Sequence, residues 1–92
     1  MDWPESPPLA EWETKRLVDF YIGTFISVAE GSRLESNLEY ITEILSLRPF
    51  KERLHFLHYL GRRQQEHVSC GQSRIATLYD MMRDHYHMHI LD

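Results

Sequence analysis

Three histidines at alternate positions, His85, His87 and His89, crowd the end of the chain in RDHYHMHILD. On a strand all three would share a face, and three imidazoles at that spacing make a zinc or copper site. On a helix the grouping changes. His85 and His89 fall one turn apart, Asp92 follows on the same face, and His87 points elsewhere. His85, His89 and Asp92 are then the candidate metal or proton-sensing set. The hydrolase motif HExxH is missing, because Tyr86 stands where its glutamate is needed. The plainer expectation is a helix end. His89 lies in the apolar stripe, His85 flanks it, and the C-terminal dipole favours imidazolium. No metal or other cofactor is expected.

The remaining reactive residues give weaker signals. His55 and His58 in LHFLHYL are three apart on the polar side of a helical pattern. Two ligands alone rarely hold a metal. Cys70 in SCGQS follows His67 by three. A Cys/His nucleophile needs an orienting group and an oxyanion hole, and one short loop supplies neither. The glycines are isolated, so there is no phosphate-cradling loop. No carboxylate pair looks catalytic. The expectation is a protein that is not an enzyme.

Nucleic acid is a further alternative. Arg53, Arg62 and Arg63 lie in a basic section, and Phe56 or Tyr59 would supply stacking rings. The basic residues are few and dispersed, and the net charge is −4, so nucleic acid is not the expected partner. The charge is divided unevenly. Residues 1–46 hold three basic and nine acidic residues, and residues 47–92 hold seven and five. Either the halves complement each other within one fold, or they pair between chains.

These side chains must be positioned by helices. MDWPESPP opens the chain, and its prolines forbid regular structure, so residues 1–8 read as an extended lead-in. Trp3 would tie such a segment down, and Ser6–Pro7 resembles a helix cap. Residues 9–92 read as a single all-helical domain. The first helix is expected over Leu9–Glu30, with Val18, Tyr21, Ile22, Phe25 and Ala29 as its stripe and Gly31 as its stop. Ser32 and Glu35 are spaced as a capping box for a second helix, Arg33–Leu47. Leu34, Leu38, Ile41 and Leu45, widened by Tyr40, Ile44 and Leu47, give it the broadest apolar face, which places it centrally.

Pro49 opens a third helix, Pro49–His67, with the stripe Phe50, Leu54, Leu57 and Leu60 and with Gly61 allowing close helix contact. The fourth, Ser73–Ile90, carries Ile75, Leu78, Tyr79, Met82, Tyr86 and Ile90. No window alternates as a strand. The fold class is all-α: a small four-helix bundle, monomeric or completed by homodimerisation.

The apolar residues exceed what such a bundle covers. Phe20 lies nearly opposite its stripe, Phe56 and Tyr59 lie off theirs, and Met81, Met88 and Leu91 lie off the last. Aromatic residues and methionine in that position mark interfaces. The expected role is therefore a non-catalytic interaction or oligomerisation module, an adaptor or scaffold domain. Its partner-binding anchors are Trp12, Phe20, Phe56, Tyr59 and Met88, and its partner is another protein, a second copy, or both. The longest apolar run, Phe20–Ala29, is too short to span a bilayer. One cysteine excludes an intrachain disulfide and fits a reducing compartment, so an intracellular location, cytoplasmic or nuclear, is expected.

Overall fold

Gly31 and Gly71 carry positive φ, 103° and 76°, a backbone region that glycine enters without a Cβ clash. Each closes a helix in the same manner. The Gly31 amide donates to the Val28 carbonyl and the Ser32 amide to Ser27; Gly71 donates to Val68 and Gln72 to His67. These paired bonds are the Schellman motif. With the turn at Pro49 they divide the chain into α1 (Thr14–Ala29), α2 (Glu35–Ser46), α3 (Phe50–Ser69) and α4 (Ser73–Tyr86). A 3-10 turn, Leu9–Glu11, precedes α1, and a π-helical turn, His87–Leu91, follows α4. This computed structural model describes residues 9–92 and contains no strand among them. The fold is the all-α four-helix arrangement. The expected lead-in over 1–8, with Trp3 and the Ser6–Pro7 cap, lies outside the described residues.

Two local expectations are corrected. The capping box at Ser32 and Glu35 does not form. The Ser32 amide is already bonded to Ser27, so the Glu35 carboxylate has no free amide to reach. Helix α2 instead starts behind Leu34 without a side-chain cap, and the Ser32 hydroxyl is buried without a partner among the described residues. The single helix expected over Leu9–Glu30 is broken at Trp12–Glu13. Glu13 is extended, with ψ of 146°. Thr14, buried just after the break, donates its hydroxyl to Glu52 on α3. Arg48 donates to the Ala10 carbonyl at 2.9 Å. Those two attachments hold the 3-10 turn out of line with α1 and against α2.

The core is built from Leu17, Val18, Tyr21 and Ile22 of α1, Ile41, Ile44 and Leu45 of α2, Leu60 of α3, Tyr79, Met82 and Tyr86 of α4, and Ile90 of the terminal turn. Helix α1 touches all three other helices, and α3 packs along α4. Helix α2 rests on α1 and the terminal turn, so it is not the central helix its broad apolar face implied. The uncovered part of that face is visible: Tyr40 is 53% and Leu47 79% exposed.

The stripe expected on α3 is also rotated. Phe50 and Leu54 are exposed, whereas Phe56, Leu57 and Tyr59 pack against the core beside Leu60. The reason is tertiary. Arg53 donates to the carbonyls of Ile90 and Leu91 at 2.9 Å, and the Tyr86 hydroxyl donates to the Arg53 carbonyl at 2.8 Å. This clamp turns the Arg53 side of α3 inward. Gly61 does lie against α4, where an added Cβ would meet the Arg83 guanidinium at an ordinary 3.7 Å. The described chain spans 41 × 32 × 20 Å. Its thin dimension is about two helix diameters, too thin to cover every apolar face.

Candidate functional site

The turn at Leu9–Glu11 brings Leu9 to the seam between α1 and α2. There Leu9, Phe20, Asn37, Tyr40 and Ile41 line a groove of about 270 Å³. Phe20 is 38% exposed, and its ring centroid lies 5.7 Å from that of Trp12. The Arg16 guanidinium lies 3.7 Å over the Trp12 ring, a cation–π contact that fixes the indole plane. Trp12, Arg16 and Phe20 are spaced by fours, one above another on α1 and its approach. The expected exposure of Phe20 is thus met. Leu9 and Tyr40 complete the groove, and sequence reasoning missed both. Nothing in the local pattern signalled them, because the break at Trp12–Glu13 decides where Leu9 goes.

Phe56 and Tyr59 were expected off the core, and that is corrected. Both pack against it, edge to face with ring centroids 5.6 Å apart. The Tyr59 hydroxyl donates to Asp19 at 2.7 Å, and Lys15 holds the same carboxylate at 2.9 Å. Burial works against the Asp19 anion, but the Lys15 and Tyr59 hydrogen bonds outweigh it and hold its carboxyl below the usual range. Tyr59 therefore ties α3 to α1. Met88 is 66% exposed on the terminal turn.

His85 and His89 come together as their spacing required, with ring centroids 4.6 Å apart. The Tyr21 hydroxyl lies 2.8 Å from His85 Nδ1 and donates to the Met82 carbonyl at 3.2 Å. Burial, and then the neighbouring His89, push the His85 pKa down and favour the neutral ring. Glu35, Leu38, Glu39, Thr42 and Glu43 of α2 form the opposite side of an open cleft of about 450 Å³.

Asp92 does not join this pair. The π-helical turn widens the last turn and swings Asp92 toward His87, whose Nδ1 is 3.8 Å from its carboxylate. The candidate set His85, His89 and Asp92 is corrected on that geometry. Among the described residues no group of three or more His, Cys, Asp or Glu is placed to hold a metal ion.

The basic candidates separate as well. Arg53 is committed to the carbonyls of Arg48, Ile90 and Leu91. Arg63 is half-buried, 6.0 Å from the Tyr59 ring centre. Only Arg62 of the three is exposed, so they do not form one phosphate-binding face. His67 bonds Gln72 and lies 5.2 Å from the Tyr79 ring, while Cys70 is exposed. No helix among the described residues is long and apolar enough to cross a membrane.

No family model, no curated protein and no solved structure matches this chain.

Proposed function

We propose that the protein is a non-catalytic interaction module that binds another protein or a second copy of itself through apolar helix faces. One observation carries this reading: the groove at the α1–α2 seam, where Phe20 and Tyr40 remain exposed beside Trp12 and Leu9. Large rings left in water at a concave, apolar seam gain free energy when a partner covers them. The other anchors contribute differently. Tyr59 holds α3 to α1 through Asp19, Phe56 packs against the core, and Met88 offers a separate exposed contact. A reducing intracellular location, cytoplasmic or nuclear, belongs to the same proposal and is supported by the single exposed thiol of Cys70.

The test is Phe20→Asp and Tyr40→Asp, each followed by sedimentation velocity, photo-crosslinking from position 12 in extract of the source cells, and a thermal melt. Both side chains are exposed, so the melts should stay close to wild type. Association or a discrete crosslink should be lost. Variants that retain every contact would remove the groove from the reading.

A second reading is favoured by the His85–His89 pair: a contact that weakens on acidification. Protonating His85 places charge beside the His89 ring at 4.6 Å between centroids. Association measured at neutral and mildly acidic pH, in wild type and His89→Gln, tests it.

A further inference from the structure

Several charged side chains in this molecule have an internal partner. Lys15 pairs with Asp19 and Arg74 with Glu30. Arg48 and Arg53 bond carbonyls, and Arg83 bonds Gln64. Among the charged side chains with no ion pair between described residues, two groups form stripes. Glu35, Glu39 and Glu43 recur by fours on α2, within about 80° of helix circumference. That helix contains no basic residue. All three are exposed, and none forms an ion pair among the described residues.

The other stripe is on α3. Lys51, His55, His58 and Arg62 fall within about 60° of circumference. All four are exposed. Neither Lys51 nor Arg62 has an ion-pair partner among the described residues. No acidic residue interrupts this stripe; Glu52 is turned aside to Thr14.

Each stripe is bordered by uncovered apolar surface, Tyr40 and Leu47 on α2 and Phe50 and Leu54 on α3. Lys51 to Arg62 spans about 16 Å of helix, and Glu35 to Glu43 about 12 Å. The two stripes are of opposite sign and similar length. Within one molecule α2 and α3 do not pack along each other, so they are not mutually satisfied there.

We propose that a second copy of this chain docks the outer face of its α3 on the glutamate face of α2, along the rim of the His85–His89 cleft, matching Lys51 and Arg62 to Glu35, Glu39 and Glu43. In a two-fold dimer the same contact occurs twice. Like-with-like pairing of either stripe is repelled, which selects the α2–α3 register. The apolar borders supply contact area, and the charges supply orientation. The inference rests on the reading of this domain as an interaction module; its surface meets the Trp12–Phe20 groove at Tyr40 but is centred on the two charged stripes.

The experiment is sedimentation velocity on the full chain over a wide concentration range at low and high salt. Wild type is expected to dimerise, less so at high salt. Glu39→Lys with Glu43→Lys, and separately Lys51→Glu with Arg62→Glu, should each weaken the dimer at least about tenfold while leaving the melt unchanged. An equimolar mixture of the two variants should associate again, as a heterodimer. A monomeric wild type, a dimer indifferent to both reversals, or a mixture that fails to associate overturns the proposal. If only Phe20→Asp breaks the dimer, the interaction reading stands and this one falls. If the Lys51→Glu, Arg62→Glu variant instead loses affinity for a duplex oligonucleotide at unchanged mass, the α3 stripe is an anion surface and the proposal also falls.

Discussion

The Tyr21 hydroxyl lies 2.8 Å from His85 Nδ1, across 64 positions of sequence, and joins the centre of α1 to the end of α4. Tyr21 is fully buried, and its ring also packs edge-on against Tyr86 at 5.9 Å. Tyr21→Phe keeps the ring and removes the hydroxyl. His85 Nδ1 then loses its hydrogen-bond partner, and the expected loss is about 1–3 kcal/mol in denaturant unfolding. A change below half of the lower figure would show that water replaces the hydroxyl freely.

The burial of His85 sets a pH dependence. The folded-state pKa of His85 is depressed by burial and by His89, so the unfolded chain binds a proton that the folded chain does not. Stability is therefore full above the ordinary histidine pKa near 6.5 and falls as pH drops below it toward the folded value. Thermal melts of wild type and His85→Gln across this window should converge toward its acid end. Parallel curves would remove His85 from the account.

Asp19 and Tyr59 should couple. Their hydrogen bond is 2.7 Å, and Asp19 also accepts from Lys15. A double-mutant cycle with Asp19→Ala and Tyr59→Phe is expected to give roughly 0.5–1.5 kcal/mol, discounted because the carboxylate is half in solvent. Tyr59→Asp, in contrast, should unfold the domain, since it sets a second carboxylate against Asp19 inside a packed seam.

Gly61→Ala is expected to stabilise. The position is inside α3, and the new Cβ meets only the Arg83 guanidinium, at an ordinary contact distance of 3.7 Å. Helix propensity then contributes about 0.5–1 kcal/mol. A lowered melting temperature would mean that Arg83 cannot yield, and that Gly61 is needed for close approach.

Ile41→Ala and Leu38→Ala should differ. Ile41 is fully buried, so its truncation should cost about 2–5 kcal/mol; half-buried Leu38, at the edge of the cleft, should cost clearly less. Equal losses in denaturant unfolding would place α2 deeper than this packing does.

Read alone, the sequence determined what depends on neighbours within a turn or two. The positive-φ stops at Gly31 and Gly71, the boundary at Pro49, the α4 stripe through Tyr79, Met82 and Tyr86, and the His85–His89 pairing all follow from local spacing and backbone sterics. What lies beyond a turn required the tertiary structure. The phase of α3 was misjudged because leucines at Leu54 and Leu57 weigh equally in a periodic pattern. The choice between faces is made by the Arg53 clamp on the Ile90 and Leu91 carbonyls, which is 37 and 38 positions away. Ser32 has the residue type for a cap, but its amide belongs to the end of α1, so two adjacent local motifs competed and the Schellman bonds prevailed. The break at Trp12–Glu13, which creates the Phe20–Tyr40 groove, is held by Arg48 and Glu52 from beyond α2. Side-chain chemistry within a helix is periodic and therefore readable; the side it presents is decided by contacts between helices, which no single window contains.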